Sequence, residues 1–537
     1  MSVPLAHLLN KAMQERLALK ESGGGASSLE RTFIFTFELV PARASRSKAI
    51  NEILLFAEAA SRGGLIHALS ITDNAGGHPA LAPASLGKEI KGMGIEPIIH
   101  FSCKDKNRNM IESQLFELDR AGIRNLLILT GDYPSSGYQG IPKPVFDLDS
   151  VHVLEMISTM NRGYGLGSRH GVSATRLPPM DFQHGCVVSP FKRLKSELVP
   201  QYLKLKRKIM AGAGYIITQM GFDARKFDEL RIFMDTNKLS VPLLGTVFIS
   251  DIRLARIISR GKVPGCMIPA RLLSRMEAES TAYDGGLSAR LERASRLVAV
   301  LMGIGYEGVH LSGPGLTYPE VAQVIKKSRK LAPLWREIVS EFLYPEEWRF
   351  WYYKKNPETG LNTTEAEAQS RSKLSFMESL HMRVGCMVHN MAFIPGKGLY
   401  SPLSRMAERI HGSTFENSFT ALEYMVKSWL YDCRHCGDCT LGELGFLCPQ
   451  SQCAKFLLNG PCGGSTDGWC EVWPGKRRCM YARIYDRLTC TGELFRLESN
   501  PMPPRNWGLY NTSSWINFYL KKGKRAEGAE SNGLTGV

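Results

Sequence analysis

Nine of the chain's thirteen cysteines fall between Cys433 and Cys490. They run Cys433-x2-Cys436-x2-Cys439-x8-Cys448-Pro449, then Cys453, Cys462, Cys470, Cys479 and Cys490. Thiolates at such spacing ligate soft metals. A CxxCxxC run with a later Cys-Pro resembles ferredoxin-like cluster ligation, although the last gap is longer here. CxxC pairs also hold structural zinc. Two four-thiolate sites need eight ligands, and Cys433, Cys436, Cys439, Cys448, Cys453, Cys462, Cys470 and Cys479 are the candidates. Iron–sulfur ligation is the first reading and zinc the alternative, and their division into sites is open. Disulfides fit poorly with a reducing compartment. Gly437, Gly463 and Gly464 supply tight turns that would bring backbone amides to a cluster.

A second set of reactive side chains ends a series of apolar runs. These are Glu38, then Thr72-Asp73-Asn74, His100 with Ser102, Thr130-Gly131-Asp132, Thr218-Gln219, and His310 with Ser312. Two carboxylates in unlike surroundings divide acid–base labour: one stays protonated as an acid, the other stays charged and stabilises a cation. Taken singly, each of these residues is an ordinary turn former or solvated side chain.

The elements that would bring them together are legible. Eight short β-rich apolar runs occupy 32–40, 65–72, 96–101, 125–131, 185–190, 214–219, 242–248 and 306–311. Helix-period stretches at 47–61, 107–121, 151–161, 202–213 and 291–302 lie between them. The repeat is about 30 residues, the length of a βα unit, and the runs are apolar on both faces, as covered parallel strands are. The pattern predicts a (β/α)8 TIM barrel with chemistry at the C-terminal ends of its strands. An open doubly wound sheet is the alternative, although no G-x-G-x-x-G follows the first run.

The expected organisation is a helix-like arm with a glycine-rich linker (1–30), the barrel (31–315), a helical connector (316–384), a cysteine-rich metal-binding domain (385–500) and a basic tail (501–537). The Trp348, Trp351, Tyr352 and Tyr353 patch reads as connector aromatics packed on the barrel. The Lys521-Lys522-Gly523-Lys524-Arg525 run reads as a solvated tail.

Phe37-Glu38 entering Pro41, Ile99-His100-Phe101-Ser102-Cys103, Thr130-Gly131-Asp132, the Leu205-Lys206-Arg207-Lys208 run and Ile217-Thr218-Gln219 together resemble methylenetetrahydrofolate reductases. Those are flavin-bearing (β/α)8 barrels that reduce 5,10-methylenetetrahydrofolate to 5-methyltetrahydrofolate. The resemblance implies Glu38 as general acid and Asp132 as the carboxylate beside flavin and folate, preorganised to stabilise an iminium cation. It implies Gln219 as a folate contact, Thr72 and His100 as flavin contacts, and Lys208 on the flavin phosphates. FAD is the implied cofactor, with FMN also open. Leu39, Val40, Asp73 and Ile252 stand where the family usually carries aromatic residues, which removes stacking surface for a nicotinamide or pterin. Without the family, the Lys204 to Lys208 charges read equally well as a solvated helix face.

Tyr431-Asp432-Cys433-Arg434-His435-Cys436-Gly437-Asp438-Cys439 and Asn459-Gly460-Pro461-Cys462-Gly463-Gly464 resemble the cysteine-rich partner of acetogen-type methylenetetrahydrofolate reductases, here fused to the barrel. The resemblance implies electrons delivered through that module from a ferredoxin-like protein or an oxidoreductase subunit, with NAD(P)H as the alternative donor.

Composition bounds the rest. Over 537 residues, 44% are hydrophobic and 22% charged, which excludes disordered, collagenous and small disulfide-stapled classes. The net charge of +16 favours anionic ligands without choosing among them. No run reaches the roughly 18 apolar residues of a membrane helix, and Lys11, Glu15 and Arg16 interrupt any signal-peptide core. The expectation is a cytoplasmic oligomer with no membrane or nucleic-acid partner. Two other functions fit the sequence: a pterin-barrel methyltransferase using methyltetrahydrofolate, and a non-catalytic zinc scaffold.

Overall fold

The computed structural model describes residues 3–21, 31–163, 177–367 and 374–522. The glycine-rich linker at 23–28 and the end of the basic run at 523–525 lie outside them. The chain forms two compact units: Met1–Ala368 with Cys462–Asp467, and Gln369–Pro461 with Gly468–Val537.

In the first unit all eight predicted runs are strands: β1 (Ile34–Leu39), β2 (Ala68–Ile71), β3 (Glu96–Ser102), β4 (Asn125–Leu129), β5 (Gln183–Val188), β6 (Ile216–Thr218), β7 (Leu243–Phe248) and β8 (Gly308–Ser312). They pair in sequence order, all parallel, into a closed barrel flanked by helices. This is the (β/α)8 TIM barrel the repeat predicts. Side-chain acceptors mark where several helices begin after a strand. Ser47, Asn107, Asp149 and Asp251 each accept a backbone N–H of the helix that follows, satisfying donors the first turn leaves unpaired. The helix predicted from 202 starts earlier, as Lys195–Met210, and runs through Pro200. Pro200 lies in its second turn and removes one hydrogen bond, yet burial of nearly the whole helix holds it together.

The barrel closes where β8 meets β1, with Ile34 opposite Gly308 and Thr36 opposite His310. A Cβ at Gly308 would stand 2.5 Å from the Ile34 carbonyl oxygen, so only glycine allows this approach.

The N-terminal arm is not a free appendage. Its helix, Leu5–Glu21, drives Leu5, Leu9 and Ala12 into the barrel floor against Ile34, Ala68, Ile98, Leu127, Tyr215, Ile217 and Leu244. Behind this apolar plug, Arg16 pairs with the fully buried Glu307 and with Asp235 at 3.3 Å. Arg231 completes the cluster, 2.7 Å from Asp235 and 3.4 Å from Glu307, and Leu243 N–H donates to Glu307 at 2.7 Å.

The connector aromatics pack as predicted. Trp348 Nε1 donates to Asp223 at 2.8 Å, the Arg225 guanidinium lies 3.8 Å from the Trp351 ring centre, and Tyr352 packs on Tyr202 and Phe233.

The second unit has the helices Phe376–Ala392, Tyr400–Ile410, Glu416–Tyr431, Met480–Thr491 and Ser514–Tyr519, with irregular cysteine-bearing turns between them. The described part of the expected tail is folded into this unit: Asn517 donates to Gly437 O at 2.9 Å, and Tyr519 Oη to Ala392 O at 2.6 Å. No helix among the described residues is long and apolar enough to cross a membrane.

Removing one member of a buried ion cluster strands the others. Glu307→Ala leaves Arg16 and Arg231 with Asp235 alone and is expected to destabilise the barrel by about 3–5 kcal/mol. Arg16→Ala leaves Glu307 held by Arg231 and Leu243 N–H, so its loss should be smaller. Urea unfolding followed by tryptophan fluorescence would test that order.

Candidate functional site

The C-terminal ends of the barrel strands gather the predicted polar residues. Glu38 ends β1. Its Oε1 accepts from Ser312 Oγ of β8 at 2.8 Å, and its Oε2 lies 3.7 Å from His310 Nε2. His310 Nδ1 is 2.7 Å from Thr36 Oγ1, which fixes the ring across the β1–β8 seam. His100 of β3 completes a cluster in which a Glu38 oxygen and one nitrogen of each histidine all lie within 4.8 Å of one another. Burial opposes ionisation of Glu38, but the hydrogen bond to His310, the two imidazoles and Ser312 outweigh it and bring its pKa down to about 2. Burial lowers His100 to about 4, with Glu38 opposing and His310 reinforcing the shift. Sequence reasoning placed His310 at the mouth without assigning it a role; its link to Glu38 depends on barrel closure.

Thr72 and His100 are both 6% exposed, and Thr72 Oγ1 and His100 Nε2 have no hydrogen-bond partner within the protein. Buried polar atoms without partners are uncommon and suit a missing ligand. Asp73, standing where the family carries an aromatic, accepts from Ser102 Oγ at 2.7 Å and Lys106 Nζ at 2.8 Å. Lys106 in turn lies 4.4 Å from the Phe101 ring centre. This position therefore braces the end of β3 instead of offering a stacking face.

Asp132 follows β4 through Gly131, which takes φ 86°. A Cβ there would crowd Ser102 and Lys104 at 2.9–3.1 Å. Asp132 Oδ2 accepts from Gly76 N at 2.7 Å, so it anchors the turn after β2. Gln219 follows β6 and turns its side-chain oxygen onto Met220 N at 2.9 Å.

The helix carrying Lys208 is not a solvated basic face. Lys204, Arg207 and Lys208 are 2%, 1% and 6% exposed. Lys208 Nζ donates to Val187 O at 2.6 Å, and burial lowers its pKa to about 8. A buried ammonium is unfavourable unless countercharge or acceptors surround it, which suits an anionic ligand group. The residues at the mouth thus fit a flavin with a phosphate tail: Thr72 and His100 as polar contacts, Lys208 for the phosphate.

Cys462–Asp467 belongs with the barrel unit. Lys192 Nζ donates to Gly463 O and, at 2.6 Å, to Ser465 O, and Arg193 pairs with Asp467 at 3.0 Å. Ser189 Oγ and Gln201 Nε2, both buried and without partners, lie beside Gly463. Sequence reasoning put this whole segment in the cysteine module.

Within the second unit, Cys433, Cys436, Cys439 and Cys448 line one cavity, together with Lys427, Thr440 and Arg505. Cys453, Cys470 and Cys479 form another neighbourhood. Burial raises the Cys479 thiol to about 12, and the charges of Cys453 and Cys470 reinforce the shift. Cys490 is exposed, and no disulfide joins the cysteines among the described residues. Among the described residues no three thiols come within 4.8 Å of one another.

Comparison with known proteins agrees with this arrangement. A family model described as "Methylenetetrahydrofolate reductase" matches residues 26–313, just over half the chain. A second, described as "Methylene-tetrahydrofolate reductase C terminal", matches 413–508. The chain is similar to "Methylenetetrahydrofolate reductase 2" of Schizosaccharomyces pombe, 24% identical over 46% of this chain and 38% of that protein. Its likeness to "Methylenetetrahydrofolate reductase 2" of Saccharomyces cerevisiae is 25% over 43% of this chain and 37% of that one. It therefore spans less than two-fifths of the length of either relative. A solved structure titled "Uncharacterized protein from Clostridium thermocellum binds two copies of 5-methyl-5,6,7,8-tetrahydrofolic acid" matches with 15% identity and a TM-score of 0.39, over 56% of this chain and 95% of that one. With all eight barrel strands inside the matched segment, the chain belongs to the methylenetetrahydrofolate reductase family.

Proposed function

We propose that this protein reduces 5,10-methylenetetrahydrofolate to 5-methyltetrahydrofolate, using a flavin held at the barrel mouth. The observation that carries the reading is the Glu38–His310–Ser312 cluster beside the unpartnered Thr72 Oγ1 and His100 Nε2. The bound flavin supplies the hydride. This chain's residues do the rest. Glu38 delivers a proton to the folate nitrogen whose departure opens the five-membered ring. His310, oriented by Thr36, stands beside Glu38 as the group through which that proton is replaced. Asp132 keeps a negative charge near the cationic centre, Gln219 binds the folate, and Thr72, His100 and Lys208 hold the flavin, as FAD or FMN.

The cysteine unit is read as an acetogen-type electron-delivery module with iron–sulfur ligation. Four thiols lining one cavity, Cys433, Cys436, Cys439 and Cys448, support ligation there. A ferredoxin-like protein or an oxidoreductase subunit is the donor in this scheme. Asp73, locked to Ser102 and Lys106, offers no face for stacking a nicotinamide, which disfavours NAD(P)H at this site.

Glu38→Gln keeps the side chain's size and removes its proton. It is expected to lower methylenetetrahydrofolate reduction by about 10²- to 10⁴-fold, the usual weight of a general acid, while bound flavin stays at the wild-type level in the visible spectrum. Undiminished turnover would refute the role, and a chain purified without flavin would favour methyl transfer instead. Anaerobic purification followed by metal analysis should find iron with acid-labile sulfide; zinc without iron would end the electron-delivery reading.

His100 also makes a prediction about stability. Its folded pKa of about 4 lies below the ordinary 6.5, so below pH 6.5 the unfolded chain takes up a proton that the folded barrel refuses. Its contribution is present above about pH 6.5 and is lost as pH falls toward 4, by up to about 3 kcal/mol at 1.4 kcal/mol per unit. Unfolding free energies measured between pH 7 and 4.5, above most of the Glu38 window, should decline less in His100→Gln.

A further inference from the structure

The cavity lined by Cys433, Cys436, Cys439 and Cys448 has an uneven wall. Cys436 is the buried member of the four, at 8% exposure, and Arg505, at 3%, donates from Nη1 to Cys436 Sγ at 2.8 Å. The same nitrogen donates to Asp438 O at 2.7 Å. The Asp438 carboxylate accepts from Asn506 N at 3.0 Å, so residues 505 and 506 grip both ends of Asp438. Cys433 Sγ accepts from His435 N at 3.4 Å, a contact made possible by His435 at φ 52°. Thr440 also lines the cavity. It is 2% exposed, and its Oγ1 has no partner within the protein. Lys427, 4% exposed, lines the wall as well, held by Glu423 at 3.2 Å and Ser514 at 2.6 Å.

These groups have a common chemical sense. The Arg505 guanidinium and the His435 N–H donate to sulfur, and the Lys427 ammonium and the unpartnered Thr440 hydroxyl line the same cavity. Thiolate-bound clusters gain one negative charge on one-electron reduction, and donors to their sulfurs together with nearby cations stabilise that reduced state. Zinc neither gains nor loses an electron, so such a wall would serve it only by lowering thiol pKa values.

We infer that Arg505, with Thr440, sets the reduction potential of the group held by Cys433, Cys436, Cys439 and Cys448, raising it by hydrogen bonding to the Cys436 side of the site. The inference rests on the iron–sulfur reading of this cavity. It goes beyond that reading by assigning an electron-tuning role to a residue from the segment taken as a basic tail. The step concerned is the addition of one electron with no bond made or broken, and in the test dithionite is the reductant. Arg505 has an alternative, purely mechanical role, pinning Asp438 O, and the test must separate the two.

The test uses the full chain, purified anaerobically, with iron and sulfide counted first and the reduced signal then followed by electron paramagnetic resonance during dithionite titration. Arg505→Gln, with iron retained, is expected to shift the reduction equilibrium about tenfold toward the oxidised form, about 59 mV more negative for one electron. Arg505→Lys keeps a cation but loses the planar fork and should shift less; Thr440→Val should shift in the same direction. A mechanical role predicts an unmoved midpoint, and unmoved midpoints with full iron in these variants would overturn the inference while leaving the cluster reading intact. If Arg505→Gln loses its iron, Arg505→Lys and Thr440→Val decide by the same criterion. A wild-type chain without iron would overturn both.

Discussion

Closure of β8 onto β1 is the contact on which the proposed chemistry depends. One register, Thr36 opposite His310, both completes the hydrogen-bonded ring of strands and brings the last strand's imidazole and hydroxyl to the first strand's carboxylate. Gly308 permits it, because any side chain at that position would strike the Ile34 backbone. A slip by one residue would turn every side chain of β8 to the opposite face, separating His310 and Ser312 from Glu38 together. The floor cluster protects the same seam from below: Glu307 immediately precedes β8 and is held by Arg16, Arg231 and Leu243 N–H. The acid at the top of the barrel and the buried ion pairs at its base are thus fixed by one pair of strands.

Much of this was legible in the sequence, because the signals were local and periodic. Apolar runs of strand length at βα spacing identify eight strands without any knowledge of contacts, and polar residues ending those runs mark the mouth. What escaped was carried by long-range partners. Nothing in the first 21 residues says that Leu5, Leu9 and Ala12 fill a barrel floor, since the strands that receive them lie tens to hundreds of residues away. The Lys204 to Lys208 run looks like a solvated face because charge usually is; only the packed helix shows Lys204, Arg207 and Lys208 buried. Arg505 lay in a segment dismissed as tail, and its meeting with Cys436 spans 69 residues of sequence.

Buried polar groups fall into two kinds, those paired within the protein and those left without a partner. At the barrel floor, the carboxylates of Glu307 and Asp235 are paired with Arg16 and Arg231 within the protein. At the mouth and in the cysteine cavity, polar atoms are left without partners: Thr72 Oγ1, His100 Nε2 and Thr440 Oγ1. An unpaired buried polar atom costs about 1–3 kcal/mol, so Thr72 Oγ1 and His100 Nε2 at the mouth and Thr440 Oγ1 in the cysteine cavity suit ligands bound there.

The low pKa of Glu38 holds it ionised in the protein alone, which by itself opposes an acid role. The causes resolve the difficulty. Its low pKa is a balance in which burial already pulls upward and hydrogen bonding with neighbouring imidazoles pulls further down. On the proposed reading, a folate covering the mouth removes the remaining solvent from a side chain that is 23% exposed. Added desolvation raises a carboxyl's proton affinity, and it does so only while the substrate is present. The proton then passes to Glu38 when there is a nitrogen to receive it, and the empty site keeps its carboxylate charged. Acid strength coupled to occupancy in this way requires a neighbouring imidazole that barrel closure cannot misplace, which is what His310, clamped by Thr36 on the adjoining strand, provides.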